Sequence, residues 1–461
     1  MLALDPGSFR DPGGRIYTHD GRVFRAVFAA NGNAWADAQA AGLHRKLADL
    51  GLLLPVREVA GDGVPAPEGA VHILEHPRIP FISYPYEWSF AVHRAAALHH
   101  LDLHLEALDS GFMLSDASAY NVQFRGTKPV FIDHLSLRPY REGELWTGHR
   151  QFCMQFLNPL ILWSRLRVPP NHWFRGSLEG IAPEDLAPLL PLRERLSWTV
   201  LTHVVAQASL QRRMIAGGAK NAQAKAASLS KNALLGMLTG LRRYIARMRL
   251  ANAQTVWVDY AGQTSYSAEE AAAKRAFVAK MTDAVKPALL FDLGCNTGDY
   301  SDAALEAGAG YVVGFDFDHA ALDRAFARFD EDGRPFLPLW MDAANPSPSQ
   351  GWAQGERRGL RERASADALV ALAFIHHIAI GRNVPLPSAV HWIMDLAPTG
   401  IIEFPHKSDP MVRRLLAQRD DIFADYGEEA FFGAVAARGR VVETKRMSDN
   451  GRLLVWYDRR S

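Results

Sequence analysis

From residue 288 onward, short apolar runs recur with room for a helix between most of them: 288–293, 311–315, 336–341, 368–374 and 400–404. Continuous apolar runs of this length, alternating with helical stretches, predict strands buried on both faces of a parallel sheet. The chain closes differently. Residues 441–447 and 452–457 flank the tetrad Ser448, Asp449, Asn450 and Gly451. Asn-Gly between two such runs is the strongest short-range hairpin signal, so an antiparallel pair is expected to end the parallel sheet.

The first 195 residues have another texture, rich in Pro, Trp and His. Residues 15–20 and 21–28 alternate apolar and polar positions about Asp20 and Gly21, which predicts a hairpin. Residues 36–50 carry a helical pattern that Gly51 would end. Leu98, Leu101, Leu105 and Leu108 share one face of a further helix. Between 201 and 258 there is no Asp or Glu, while Arg212, Arg213, Lys220, Lys225, Lys231, Arg242, Arg243, Arg247 and Arg249 are present. Leu234, Leu235, Leu238, Leu241 and Ile245 make this stretch a basic amphipathic helix. It suits either an anionic partner or a connector meeting an acidic flank. The expected division is therefore 1–195, a basic helical connector at 196–256, and 257–461.

Composition narrows the classes. A chain of 461 residues, 48% apolar and 22% charged, excludes wholesale disorder and fibrous architecture and leaves room for two or three domains. Lys and Arg total 51 against 50 acids, so no polyanion-binding surface runs along the whole chain. Two cysteines, Cys153 and Cys295, make no disulfide framework and point to a reducing compartment. The first residues show no secretion signal. No run approaches the ~18 apolar residues of a membrane span, since 368–380 is interrupted by His376 and His377. A soluble cytoplasmic protein is expected.

The run Leu-Leu-Phe-Asp-Leu-Gly-Cys-Asn-Thr-Gly-Asp-Tyr at 289–300 places glycines where a buried strand must turn into a helix. Gly294 and Gly298 let backbone approach a ligand that a side chain would push away. Their spacing is not the Gly-x-Gly-x-x-Gly of a dinucleotide cradle, and Asp292 beside them would repel a pyrophosphate and welcome a cationic ligand. Asp316 ends the next strand, where a carboxylate accepts from ribose hydroxyls, and Asp342 follows the third, where it accepts from an adenine amino group.

These positions resemble the class I S-adenosylmethionine-dependent methyltransferases over about 200 residues, 259 to the end, terminal hairpin included. The resemblance implies a Rossmann-like doubly wound α/β sheet and S-adenosylmethionine as cofactor. It makes Asp292, Gly294, Asn296 and Gly298 the first motif, Asp316 the ribose-binding acid and Asp342 the adenine-side acid. Asn296 stands where glycine is more usual; its short amide is compatible with left-handed backbone. In that family the end of strand four faces the transferred methyl group, and here it carries His376 and His377. A hydroxyl or amine acceptor must lose a proton, which suits a histidine of ordinary pKa near 6.5. Glu403 and His406, at the end of the fifth strand, are second candidates. The Asn-Pro-Pro-Tyr type motif of base amino-methylating enzymes is absent, so a small-molecule or glycan acceptor is favoured. Upstream, residues 257–260 read as an aromatic loop, and Ser267 with Glu270 as a capping box opening a helix that serves as lid or as packing.

The N-terminal zone has its own constellation: Asp116, then Asn121 five residues on, then Asp133 at the end of an apolar strand. This order, with a helix before it, resembles the catalytic loop and metal-binding acid of protein-kinase-like and aminoglycoside-phosphotransferase-like folds. The resemblance implies a kinase-like α+β domain in which Asp116 orients a hydroxyl while Asn121 and Asp133 hold magnesium on ATP phosphates. Departures are substantial. Leu114 replaces the usual loop histidine, Ile132, Asp133 and His134 replace Asp-Phe-Gly, and no glycine-rich loop is evident. No lysine precedes Lys46, so Arg22 or Arg25 would take the strand lysine's place. The expected protein is a methyltransferase with a degenerate kinase-like domain. The alternatives are a bifunctional kinase–methyltransferase and a catalytically silent scaffold.

Overall fold

The computed structural model describes residues 2–59, 63–216, 228–250, 268–417, 419–447 and 452–460. It divides into two compact units, one of 1–124, 128–252 and 349–357, the other of 125–127, 253–348 and 358–461.

In the first unit, strands β1 (Ala3–Leu4), β2 (Gly14–His19), β3 (Arg22–Phe28), β4 (Arg57–Glu58) and β5 (Ala70–His76) form an antiparallel sheet ordered β1-β2-β3-β5-β4. The β2–β3 turn is the expected one: Asp20 and Gly21 both have positive φ, +48° and +76°, which matches the twist of the flanking strands. The helix expected over 36–50 is two helices, Ala29–Ala40 and Leu43–Asp49. They break at Gly42, whose φ of +67° no α-helix accommodates.

The long helix Phe90–Asp109 starts on Ser89, whose hydroxyl accepts the Val92 N–H. Its buried residues include His93, Ala96, Ala97, His100, Leu103, His104 and Ala107. Leu101 and Leu108 are buried as expected, but Leu98 and Leu105 are only half-buried. The basic stretch forms the predicted helix, Lys231–Arg247, with Leu234, Leu238, Leu241 and Ile245 buried. It is grouped with the first unit, where Arg242 pairs with Asp102 and the Arg94 guanidinium donates to the Ile245 and Ala246 carbonyls. After the long helix, β6 (Phe112–Leu114) pairs with β9 (Leu137–Pro139), and β7 (Val122–Arg125) with β8 (Lys128–Phe131). Residues 349–357 also fall in this unit, through the Arg10–Glu356 ion pair at 2.8 Å and Arg357 lying 4.5 Å above the Tyr120 ring.

The second unit holds β10 (Leu290–Leu293), β11 (Val312–Asp316), β12 (Phe336–Trp340), β13 (Ala368–Ala371), β14 (Thr399–Pro405), β15 (Arg440–Arg446) and β16 (Arg452–Asp458). The sheet order is β12-β11-β10-β13-β14-β16-β15; the first five strands are parallel, and β16 runs antiparallel to both neighbours. The Asn450–Gly451 turn lies outside the described residues, as do 257–260 and Ser267. Val278, Leu290, Val312, Phe329, Phe336, Val370, Ile401 and Leu454 are among the residues of the unit's core. Strand β13 stops at Ala371, short of the apolar run that predicted it, because Ala373 turns to φ +49° and a short helix, Ile375–Ala379, follows. This order reverses direction at β10, where the chain moves to β11 on one side and β13 on the other. Crevices at such switch points, beyond the carboxyl ends of the strands, are where open α/β sheets receive ligands. Among the described residues, no helix is long and apolar enough to cross a membrane.

Candidate functional site

The turn after β10 has the backbone its residues require. Gly294, Asn296 and Gly298 all have positive φ, +78°, +49° and +85°. A Cβ on Gly294 would stand 3.2 Å from the Phe374 ring, and one on Gly298 only 2.6 Å from Phe329, so the loop is drawn close against its neighbours at both glycines. Gly298 caps the helix Asp299–Glu306. The Gly294 and Cys295 N–H groups both donate to the Phe315 carbonyl, at 2.8 and 3.0 Å, tying the turn to β11. Asp292 lies beneath, buried, accepting the Ser301 hydroxyl at 2.6 Å. Burial raises its carboxyl to about 7.

Asp316 closes β11 as a two-armed acceptor. One oxygen takes the Asn296 N–H at 2.8 Å and the other the Asp318 N–H at 2.8 Å. Burial raises this carboxyl to about 6, against those backbone bonds. Phe317, the next residue, is 52% exposed, an apolar ring held 5.9 Å from Trp340. Asp342 follows β12, with one oxygen on the Ala344 N–H at 3.0 Å and the other 3.7 Å from Arg382. The three acids expected from the sequence thus lie in or just after three adjacent parallel strands: Asp292 within β10, Asp316 at the end of β11 and Asp342 two residues past β12.

His376 and His377 are not on a strand. They lie on the helix Ile375–Ala379, with rings 4.1 Å apart. His376 is buried, and neither ring nitrogen has a hydrogen-bond partner among the described residues. Burial holds His376 well below the usual imidazole range and brings His377 to about 4. Both are shifted toward the neutral form, below the value near 6.5 expected for a base here. Next to them is a buried charge assembly. Glu403 accepts Lys274 at 2.7 Å, Arg452 at 3.1 Å and the Ala373 N–H at 2.7 Å, and Arg452 also reaches Asp409 at 2.6 Å. Asp409 in turn caps the helix Pro410–Leu416. Burial raises the Tyr300 hydroxyl, and the charges of Glu403, Asp299 and Asp292 push it the same way. His406 is set apart, paired with Glu428 at 2.5 Å.

In the first unit the constellation after β6 is assembled but occupied. Asn121 donates to Asp116 at 3.1 Å. Burial raises the Asp116 carboxyl, and the charge of Asp133 adds to this. Asp133 accepts the Arg25 guanidinium at 2.8 Å, the Leu135 N–H at 3.2 Å and the Ser136 hydroxyl. Arg22 instead joins Arg57 on Glu75 at the exposed sheet surface.

No family model matches the chain. Nodulation protein NoeA of Rhizobium meliloti (strain 1021) is 45% identical over 456 residues, covering 98% of this chain and 95% of that protein. The chain belongs to the NoeA family. Among solved structures it is similar to N-methyltransferase NodS from Bradyrhizobium japonicum WM9, at 12% identity and a TM-score of 0.30 over 42% of this chain and 97% of that one. It is also similar to the bifunctional kinase-methyltransferase WbdD, at 16% identity and a TM-score of 0.29 over 44% of this chain and 42% of that one. Likenesses this low carry no argument about this NoeA relative.

Lys274, Arg452 and Asp409 escaped the sequence reading. Lys274 had a legible signal: with Phe277, Val278 and Met281 it occupies spacings i, i+3, i+4 and i+7 on the buried face of the helix Ala268–Val285. That face also shows the helix to be packed into the core. A lysine there demands a buried carboxylate.

Proposed function

We propose that the second unit is an S-adenosylmethionine-dependent methyltransferase acting on a hydroxyl- or amine-bearing acceptor, a small molecule or glycan in preference to a nucleic-acid base. The observation that carries this reading is Asp316, at the end of β11, held on the Asn296 N–H of the left-handed turn Gly294–Gly298 where sheet order reverses, with Asp342 following the neighbouring β12. The residues fit the cofactor. Each Asp316 oxygen already accepts one backbone N–H, which leaves one acceptor site apiece for a ribose diol. Asp342 stands one strand away for the adenine amino group, and exposed Phe317 offers that ring an apolar face. Gly294 would pass the backbone close to the chain bearing the sulfonium, and Asp292 beneath it favours positive charge.

Bound S-adenosylmethionine supplies a methyl group already activated on a sulfonium, so alignment and exclusion of water are what remain for the protein. His377, half-buried and neutral, would accept a hydrogen bond from the acceptor's hydroxyl or amine and orient its lone pair; His376, fully buried behind it, would set the ring's position. The Glu403 assembly would hold the Ala373 turn that carries both histidines, through the Ala373 N–H bond. For the first unit we infer a kinase-like domain without phosphotransfer, because Arg25 and Ser136 occupy the carboxylate that magnesium would need. Calorimetric titration of the full chain with S-adenosylmethionine, followed by acceptor screening with a labelled methyl group, tests the proposal. Absence of cofactor binding would refute it.

A further inference from the structure

Cys153 lies in the first unit, outside every element given a role above. It opens the π-helical turn Cys153–Leu157, which continues the helix His149–Phe152 into Asn158–Leu166. A second helix is interrupted in the same way: the π-helical turn Leu201–Val205 carries His203 and runs into Ala206–Ala216. Each helix presents two polar side chains four residues apart, His149 with Cys153 and His203 with Gln207, hence on one face. The faces meet. His149 Nε2 lies 2.8 Å from His203 Nδ1 and 3.7 Å from Cys153 Sγ. One ligand atom from each of the three residues falls within 4.8 Å of the others.

We propose that His149, Cys153 and His203 form a zinc site that clamps these two helices together. A thiolate with two imidazoles is a donor set that selects zinc over magnesium or calcium, which take oxygen. With Zn–N near 2.0 Å and Zn–S near 2.3 Å, tetrahedral ligands stand about 3.3 Å (N···N) and about 3.6 Å (N···S) apart. The sulfur–nitrogen separation of 3.7 Å already fits. The two nitrogens at 2.8 Å must part by about half an ångström, a side-chain rotation. Cys153 is buried and both histidines half-buried, so the site is enclosed without being sealed. π-helical turns of this kind recur at functional sites, and here two of them bring the donors together.

Outer contacts agree. A histidine bound through Nε2 carries its proton on Nδ1 and needs an acceptor there. The Gln207 amide nitrogen is 3.0 Å from His149 Nδ1 and 3.6 Å from Cys153 Sγ, and its Oε1 is buried with no partner among the described residues. Exchanging the amide's oxygen and nitrogen, which are alike in shape, turns the His149 contact into Nδ1–H donating to Oε1, in place of the amide's bond to the Cys153 sulfur. On binding, Cys153 gives up its thiol proton to solvent, and a water fills the fourth position.

Metal analysis of the purified full chain should find close to one zinc per molecule, and chelation should lower its melting temperature. Cobalt added to the chelated protein should give the near-ultraviolet thiolate-to-cobalt band and strong visible bands of a tetrahedral centre. Cys153→Ser should abolish the near-ultraviolet band while Cys295→Ser retains it. Gln207→Leu should weaken cobalt binding by about 10–100-fold. If Cys153→Ser fails to fold, His203→Gln, at a half-buried position, decides by loss of the tetrahedral bands. Wild type without zinc and without the cobalt bands would overturn the site, as would a thiolate band that survives Cys153→Ser.

Discussion

Asp316→Ala separates what that carboxylate does for a ligand from what it does for the fold. In the unliganded unit its two oxygens hold the Asn296 and Asp318 N–H groups at 2.8 Å each, and each oxygen has a second acceptor site free for a ribose hydroxyl. Removing the carboxylate leaves bound hydroxyls unpaired, which costs about 1–3 kcal/mol, or about 5- to 150-fold in Kd. The same change strips two half-buried backbone donors and should lower the unit's stability by about 1–3 kcal/mol. Asp342→Ala is the control, since it removes the proposed adenine contact but only one local backbone bond. pH provides an independent readout. Burial raises Asp316 to about 6, above its unfolded value, so ionising it costs stability as pH rises through that range, and protonation relieves the cost. Affinity moves the other way, because only the ionised carboxylate accepts from both hydroxyls: S-adenosylmethionine should bind more weakly at about pH 5 than at about pH 8. Calorimetry at both values, with thermal melts of the same samples, measures each arm. Unchanged Kd in a folded Asp316→Ala variant would refute the assignment.

Further outcomes concern Glu403, the paired histidines and Asp133. Glu403→Gln leaves Lys274 and Arg452 facing a neutral amide and should cost about 3–5 kcal/mol in chemical denaturation, more than Lys274→Met, after which Arg452 still pairs with Glu403 at 3.1 Å. Because Lys274 and Arg452 lower the Glu403 carboxyl against burial, its contribution should hold above the ordinary carboxylate range and fade as pH falls through it. His377→Asn should lower methyl transfer by roughly 10²–10⁴ with cofactor affinity intact, while His376→Leu, replacing a buried ring whose nitrogens have no partner among the described residues, should keep or raise stability. The pH–rate profile should be flat between about 6 and 8, since both imidazoles are neutral there; a limb near 6.5 would show that one of them titrates in the working enzyme. Asp133→Asn should cost about 1.5–3 kcal/mol by stripping buried Arg25 of its carboxylate, and magnesium–ATP should not raise the wild-type melting temperature.

What the sequence by itself determined are the features written in neighbouring residues. Five apolar runs and a closing pair of strands were readable because a strand buried on both faces must be apolar throughout. The turn 294–298 and the acids at 292, 316 and 342 were readable because glycine and acid at a strand end are short-range signals. Tertiary structure decided the rest. Gly42 reads as tolerable inside a helical pattern, and only its φ shows the break. The apolar run through 374 does not reveal that Ala373 turns left-handed and sends the histidines onto a helix, where burial takes away their ordinary titration. The helix Phe90–Asp109 buries histidines that its leucine spacing would have left outside, since its surroundings, not its own pattern, choose the face. Lys274 meets Glu403 across 129 residues, and Arg452 meets Asp409 across 43. The cost of an unpaired buried charge makes such partners necessary, but no local pattern names them; which strand and which helix bring the opposite charge is settled only when the sheet closes.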